Sequence, residues 1–264
     1  MRHTNPWNNK DICSEECYSA FLDIQGFKNY VCHHSMKETQ RVFDTLCEQL
    51  DGMREEKVWK GQNDYQLSKY NALARESFLL VMSDSIIIAV EKKHRGALQF
   101  IIESCARIQQ QMLVQHQILF RGGISEGAFF GNDRITFGEG LVRAYTIEEA
   151  PWNKMFRTVL DPKIHRSLKG HRFHCLSESA CYGEEKNKIR VVDYFNSMMW
   201  DQEVLSILYR YADREYESAK IQGNKLLEEK YHWLLLHLAY TDHLIDGQMR
   251  KHEDERIMAM MNFQ

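Results

Sequence analysis

Two strongly apolar stretches in the first third of the chain each carry an aspartate beside the apolar run. Residues 18–24 read YSAFLDI and contain Asp23, and residues 77–90 hold two apolar runs separated by Ser83-Asp84. Short apolar runs bounded by turn residues are typical of buried strands. The first stretch therefore predicts a buried strand, and the second predicts a strand pair with Asp84 at its turn.

The rest of the pattern alternates between helical and strand-like segments. Residues 36–50 and 95–116 place apolar side chains three and four positions apart, which predicts two amphipathic helices. The remaining predicted elements are a Gly-rich strand at 118–130, a turn at 131–133, a short strand at 134–137, a helix from Gly138 that Pro151 stops, and strands at 156–161 and 188–195. Residues 201–245 predict two helices that meet near Gly223.

This order of elements predicts an α+β fold in which an antiparallel sheet packs against helices, close to a ferredoxin-like plan with an extra hairpin. We divide the chain into an N-terminal arm at 1–16, a central domain at 17–165, and a strand plus mainly helical extension at 166–264. In such a sheet Asp23 and Asp84 are expected side by side at the ends of central strands. Mg²⁺ and Mn²⁺ prefer oxygen ligands, so paired carboxylates suit two-metal phosphoryl transfer.

The composition narrows the class of protein. The chain has 264 residues, 44% hydrophobic and 27% charged, with a net charge of -3. These values are typical of a globular domain, and they supply no basic field for a nucleic-acid partner. No apolar run is long enough to span a bilayer and the N-terminus has no signal core, so we expect a cytoplasmic protein without a membrane span. We interpret the seven irregularly spaced cysteines as reduced thiols, although a zinc site at Cys13 and Cys17 is an alternative.

Four motifs in the same order resemble class III nucleotide cyclase domains, over roughly residues 17–162. The motifs are Asp23-Ile24-Gln25-Gly26-Phe27 for D-I-x-G-F, Ser83-Asp84 at the second metal position, Arg121 to Gly127 for R-x-G-I-x-x-G, and Phe137-Gly138 before the helix with Ala144 for the aromatic-Gly and V-N-x-A-x-R segments. More narrowly, AFLDIQGFKNYV, SDSIII and the helical extension after VVDYF resemble the bacterial pyrimidine cyclases of the Pycsar antiphage systems.

The resemblance implies a site for two divalent cations, Mn²⁺ or Mg²⁺. It assigns Asp23, Asp84 and the carbonyl of Ile24 as metal ligands. The backbone N–H groups of Gly26, Phe27 and Lys28 are then expected to hold the triphosphate at the start of a helix. Without the resemblance, a helix cap for Asp23 and a plain turn residue for Asp84 are the simpler interpretations.

This sequence departs from the family pattern at positions that contact the nucleotide base and at positions that stabilise the transition state. The two positions at which purine cyclases carry polar base-reading side chains hold Leu80 and Ile135, which favours a pyrimidine substrate, although both side chains joining the core is an alternative. Of the two pyrimidine triphosphates we expect UTP, a choice that these two residues do not decide. The asparagine and arginine of the family helix align with Val142 and Thr146. Arg143 is therefore our candidate for the catalytic cation, the alternatives being a surface cation or a partner of Glu148.

Class III sites form between two subunits, so the resemblance also implies a homodimer. It further implies a cyclic-nucleotide second messenger, cyclic UMP or cyclic CMP, and a separate effector that senses it in antiviral defence. Two alternatives stay open at this point. One is a catalytically silent module of cyclase fold that binds nucleotides or dimerises, and the other is a cyclase for ATP or GTP.

Overall fold

The computed structural model describes residues 11–54, 72–168, 176–181, 184–195 and 202–246. The chain divides into two compact units, Met1–Tyr194 and Phe195–Gln264. The first unit contains the sheet and the helices that cover it. The second contains a pair of helices.

The elements of the first unit follow the chain in the order strand, two helices, hairpin, helix, hairpin, helix and three strands. Their bounds are β1 Ile12–Ile24, α1 Phe27–His33, α2 Met36–Arg54, β2 Phe78–Met82, β3 Ser85–Glu91, α3 Ala97–His116, β4 Phe120–Gly131, β5 Thr136–Phe137, α4 Glu139–Glu149, β6 Thr158–Leu160, a 3₁₀ helix Pro162–Arg166, β7 Leu176–Cys181 and β8 Glu184–Val192. The α+β class predicted from the sequence is confirmed.

One sheet connects all the described strands. Its order is β2-β3-β1-β4-β6-β8-β7, and β5 pairs with the end of β4. Among the described pairs only β4–β6 is parallel, so the antiparallel sheet that the sequence predicts becomes a mixed one at this point. The reason is connectivity, because α4 lies between these two strands in sequence and a parallel neighbour needs such a crossover.

One face of the sheet forms the main core. Ala20, Leu22 and Ile24 of β1 point to this face and are 4% exposed or less. Helix α3 contacts β1 and β3, and α2 contacts α3. The apolar stripe predicted for 95–116, including Ile101 and Cys105, is fully buried, so this amphipathic helix is confirmed.

The opposite face carries α4 and the candidate site. Helix α4 lies against β4 and β1. The approach is close at Gly123, where a Cβ atom would lie 2.2 Å from the carbonyl oxygen of Ala144. Only a residue without a side chain permits this separation. The Gly-rich strand thus sets how near α4 comes to the sheet.

The second unit is a helical hairpin, as the sequence predicts. Helix α5 spans Gln202–Ile221 and α6 spans Lys225–Asp246, and the two pack together. Gly223, between them, has a φ of 67°, a conformation that glycine adopts without strain. Within the described part of the chain, no helix is both long and apolar enough to cross a membrane.

The observed strands differ from the sequence prediction in their bounds and in one additional strand. Strand β1 begins at Ile12, inside the stretch predicted as an arm, and pairs there with the end of β4 around an irregularity between Ser14 and Cys17. Strand β7 was not predicted. The expected surface excursion at 51–75 lies largely outside the described residues, as do residues 1–10 of the arm.

Candidate active site

The two predicted carboxylates lie at the same end of the sheet. Asp23 is the penultimate residue of β1, directly opposite Ser85 of β3 on one side and Arg121 of β4 on the other. Asp84 occupies the two-residue turn between β2 and β3, next to Ser83 with a φ of 58°. The N–H of Ile24 donates to the carbonyl oxygen of Asp84 at 2.8 Å, which ties the end of β1 to this turn.

Asp23 is in an unfavourable environment for a charge. Its pKa is raised to about 7, first by burial and then by the negative charges of Glu148 and Asp84. Arg121 and a hydrogen bond from Nε2 of Gln25 to Oδ2 of Asp23, 2.8 Å long, act in the opposite direction. Crowded carboxylates of this kind are typical of functional sites.

Glu148 is a site residue that sequence reasoning did not find as such. It is 2% exposed and forms an ion pair with Arg121, the residue opposite Asp23. A signal for its position exists in the sequence, because the buried residues of α4 are Gly140, Ala144 and Glu148, spaced four apart. Arg121, the first residue of the R-x-G-I-x-x-G segment, thus has a buried partner within the same chain.

The residues after β1 open a helix, as expected. Gly26 has a φ of 75° and precedes α1, whose first backbone bond runs from the N–H of Tyr30 to the oxygen of Gly26. The ring of Phe27 meets Phe43 of α2 edge to face, at 5.7 Å between centroids. Lys28 is exposed. The segment therefore starts a helix immediately beyond the carboxylate of Asp23.

Leu80 and Ile135, which occupy the two positions predicted to contact the nucleotide base, lie in different surroundings. Leu80 is half-buried and packs against the cluster that contains Phe78 and Ile87. Ile135 is 54% exposed, and its N–H donates to Oδ1 of Asn132 at 2.9 Å in the β4–β5 hairpin. The alternative in which both side chains join the core is therefore wrong for Ile135.

Arg143 is held by a buried partner. Its Nε donates to Oδ2 of Asp161 at 2.8 Å, and the hydroxyl of Ser125 donates to the same oxygen at 3.2 Å. The alternative pairing with Glu148 is wrong, because five helical positions separate the two residues on different sides of α4. Asp161 also caps the 3₁₀ helix by accepting from the N–H of Lys163.

Val142 and Thr146 align with the asparagine and arginine of the family that the sequence resembles, and both lie on the solvent-exposed side of α4. Val142 is 60% exposed. Thr146 is exposed as well, and its hydroxyl donates to the carbonyl oxygen of Val142 at 2.8 Å. Since that donor is already used within the helix, neither residue offers a free hydrogen-bond donor from its side chain.

The chemistry of the donors fits a hard divalent cation. Asp23 and Asp84 supply carboxylate oxygens, and a cation would offset the burial and the neighbouring negative charges that raise the pKa of Asp23. Within the described residues, no group of three or more His, Cys, Asp or Glu side chains is placed to hold a metal ion, and this includes the alternative zinc site at Cys13 and Cys17. A cation at the two aspartates therefore needs oxygen ligands from the substrate or from water.

Comparison with known proteins gives matches among solved structures alone. No family model and no curated protein matches the chain. The catalytic core of a rhodopsin-guanylyl cyclase with converted specificity, in complex with ATPαS, is 12% identical and covers 69% of this chain and 96% of its own, with a TM-score of 0.48.

Two further structures cover a comparable share of the chain. The dimeric guanylyl cyclase domain of a RhoGC fusion protein from the aquatic fungus Blastocladiella emersonii is 13% identical and covers 70% of this chain and 97% of its own, with a TM-score of 0.48. The adenylyl cyclase CyaB from P. aeruginosa is 13% identical and covers 67% and 92%, with a TM-score of 0.44.

Proposed function

We propose that the protein is a metal-dependent nucleotide cyclase of class III type that converts UTP, or alternatively CTP, into its 3′,5′-cyclic nucleotide and diphosphate. One observation carries the proposal. Asp23, at the end of β1, and Asp84, in the β2–β3 turn, are linked by the hydrogen bond from the N–H of Ile24 to the carbonyl oxygen of Asp84, directly before the start of α1. The four ordered motifs of the sequence surround this arrangement.

The proposed reaction forms one P–O bond and breaks an O–H bond and a P–O bond. The ribose 3′-hydroxyl gives up its proton to water, its oxygen bonds to the α-phosphorus, and the bond from the α-phosphorus to the oxygen shared with the β-phosphate breaks, so that diphosphate leaves with the electron pair. Such a reaction depends mainly on positioning and on neutralising charge. Asp23, Asp84 and the carbonyl of Ile24 would hold two Mg²⁺ or Mn²⁺ ions, which supply charge neutralisation for the attacking oxygen and the phosphates when bound.

The chain's own residues would orient the substrate around these ligands. The N–H groups of Gly26, Phe27 and Lys28 are placed at the first turn of α1, where a helix leaves donors without partners. The ammonium group of Lys28 is exposed and would add positive charge for the triphosphate. Arg143 is the residue that we propose to supply positive charge to the transition state, through the part of its guanidinium group that does not contact Asp161.

The preference for a pyrimidine rests on Leu80 and Ile135. A pocket that reads a purine edge needs polar side chains at these positions, and an unmatched polar group on a buried base is unfavourable by about 1–3 kcal/mol. Because Ile135 is exposed and does not belong to the core, its side chain would be able to contact the base. Ile135→Asp is expected to fold normally, and a shift of the substrate preference towards a purine in this variant would support the assignment.

A homodimer is proposed as the active form. Exposed apolar side chains lie on the α4 side of the molecule: Phe137 at 55%, Val142 at 60% and Tyr145 at 42%. A second copy of the chain would bury them and complete the site. The product would serve as a second messenger, cyclic UMP or cyclic CMP, for a separate effector in antiphage defence, in a cytoplasmic setting.

The experiment is incubation of the purified protein with each of the four nucleoside triphosphates and Mn²⁺, followed by mass spectrometry of the products. We expect cyclic UMP, or cyclic CMP, and its loss in Asp23→Ala and Asp84→Ala. Preferential formation of cyclic AMP or cyclic GMP would contradict the pyrimidine assignment. No cyclic product from any triphosphate would contradict the enzyme itself.

A catalytically silent nucleotide-binding module is the second candidate. The observation that favours it is the loss of donors at Val142 and Thr146, together with the pairing of Arg143 to Asp161. Such a module would bind triphosphates without converting them. Retention of both strand-end carboxylates supports the enzyme instead, since binding without chemistry does not require two of them.

A further inference from the structure

Gln25 lies in the short turn between β1 and α1, two residues after Asp23. Its side-chain Nε2 donates to Oδ2 of Asp23 at 2.8 Å. Both side chains are half-buried, so the hydrogen bond is partly shielded from solvent. The D-I-x-G-F motif leaves the position of Gln25 unspecified, and the family resemblance therefore gives this residue no role.

The backbone around Gln25 is fixed on both sides. The N–H of Gln25 donates to the carbonyl oxygen of Leu119 at 2.9 Å, and the N–H of Ile24 donates to that of Asp84 at 2.8 Å. Gly26 follows with a φ of 75° and caps the start of α1. The side-chain amide is therefore delivered to the carboxylate from a turn that is itself hydrogen-bonded to two other segments of the chain.

A charged donor also lies next to Asp23, but it has another partner. Arg121 is directly opposite Asp23 on the neighbouring strand. Its guanidinium group forms an ion pair with Glu148, which is 2% exposed. Within the part of the chain that the structure describes, the side-chain hydrogen bond to Asp23 therefore comes from a neutral amide and not from the arginine.

A neutral donor suits a carboxylate that binds a cation. An arginine paired with Asp23 would oppose its negative charge and compete with a metal ion, whereas the amide of Gln25 leaves that charge in place. The hydrogen bond uses one lone pair of Oδ2 and limits rotation of the carboxylate, so Oδ1 keeps a fixed direction. Carboxylates that bind metals are held by such bonds, and removing the donor reduces metal affinity by about 10–100-fold.

We propose that Gln25 is a positioning residue for the cation site, whose side-chain amide holds the carboxylate of Asp23 in the orientation that binds Mg²⁺ or Mn²⁺. The inference rests on the proposed function, because that function places the cations at Asp23. Gln25 acts through this carboxylate and is itself neither a metal ligand nor a contact of the nucleotide.

The experiment compares the wild type with Gln25→Met, which keeps the length of the side chain and removes the amide. Gln99→Met is the matched control, because Nε2 of Gln99 also donates to a half-buried carboxylate, Oε1 of Glu103 at 2.7 Å, within α3. Mn²⁺ affinity is measured by electron paramagnetic resonance of the free ion. We expect Mn²⁺ to bind about tenfold more weakly to Gln25→Met, and with wild-type affinity to Gln99→Met.

A second variant and a thermal measurement separate positioning from folding. Gln25→Asn keeps the amide but shortens the side chain by one methylene, which withdraws the donor from Oδ2, so we expect the same loss of affinity. The melting temperature without Mn²⁺ should be the same in the two Gln25 variants and in the Gln99→Met control. Wild-type Mn²⁺ affinity in either folded Gln25 variant would overturn the inference.

Cyclic UMP formation at increasing Mn²⁺ distinguishes the inference from the proposed function. In Gln25→Met the Mn²⁺ concentration for half-maximal rate should rise about tenfold, while the rate at saturating Mn²⁺ stays close to the wild type. Weaker Mn²⁺ binding in this variant, with no cyclic product from any triphosphate in the wild type, supports the positioning role and contradicts the cyclase. Unchanged Mn²⁺ affinity beside an active wild type overturns the inference alone, and a wild type that binds no Mn²⁺ overturns both.

Discussion

Arg143 and Asp161 form an ion pair in which the acid is buried and the base is not. Asp161 is 3% exposed, whereas the side chain of Arg143 keeps 31% of its surface in contact with solvent. Within the described residues, removing the arginine leaves a buried carboxylate that accepts from the hydroxyl of Ser125 and the N–H of Lys163. We expect Arg143→Ala to reduce the free energy of unfolding by about 3 kcal/mol, measured by urea denaturation.

A control for this prediction is Arg214→Ala, which breaks an exposed pair with Glu215. That change is expected to lower stability by about 1 kcal/mol or less. Equal stability of the two variants would contradict a structural role for the Arg143–Asp161 pair. Loss of cyclase activity at wild-type stability would instead identify Arg143 as purely catalytic.

The stability of the protein is expected to depend on the ionisation of Asp23. Its pKa is about 7 in the folded state and 3.8 ordinarily, so between these pH values the folded protein retains a proton that the unfolded chain has lost. The contribution of Asp23 to stability therefore falls as pH rises from about 4 to about 7. Asp23→Asn removes this loss and, because solvent partly screens the half-buried carboxylate, should be only about 1–2 kcal/mol more stable than the wild type at pH 8.

Urea denaturation at pH 5 and pH 8 measures this difference. Asp133→Asn, on the exposed β4–β5 hairpin, serves as the control and should behave as the wild type at both values. A gain in stability that is the same for both variants, or the same at both pH values, would show that the buried carboxylate is not its source.

The affinity for a divalent cation should also depend on the ionisation of Asp23, but it should increase with pH over the range in which stability decreases. A divalent ion binds the deprotonated carboxylate and competes with the proton, so its affinity rises as pH increases through about 7. We expect Mn²⁺ to raise the melting temperature more at pH 8 than at pH 6, and to have no such effect on Asp84→Asn. Thermal unfolding with and without Mn²⁺ tests this. A change in melting temperature that is independent of pH would contradict a cation site at Asp23.

The distance between α4 and the sheet depends on Gly123. A Cβ there would lie 2.2 Å from the carbonyl oxygen of Ala144 and 2.9 Å from Cβ of Ile147, atoms that cannot move without the helix. Gly123→Ala is expected to lower the free energy of unfolding by about 3 kcal/mol. It should also abolish activity, because α4 would be displaced from the site.

Gly140→Ala is the matched comparison on the same interface. Its Cβ would meet the hydroxyl oxygen of Ser19 at 3.0 Å and the backbone nitrogen of Gly127 at 3.3 Å, which are looser contacts than those at Gly123, and alanine favours the helix more than glycine by about 1 kcal/mol. A smaller loss of stability than in Gly123→Ala is expected. If both substitutions were equally tolerated, the packing described for α4 would be wrong.

The sequence predicts local features of this fold well and long-range charge pairing poorly. The turn at Asp84, the buried face of α3 and the break at Gly223 each follow from a pattern within one segment. The start of β1 is polar, ICSEE, and becomes a strand because β4 pairs with it. The burial of Glu148 and Asp161 depends on arginines 27 and 18 residues away, which no local pattern specifies.

The hydrogen bond from Ile24 to Asp84 joins segments about sixty residues apart in sequence. The β2–β3 hairpin needs only a two-residue turn and can form early, whereas its pairing with β1 requires closure of a much longer loop. The two carboxylates therefore meet only after this closure. A refolding chain is therefore expected to gain its cation affinity after the β2–β3 hairpin has formed, which makes the bound ion a reporter of long-range strand pairing.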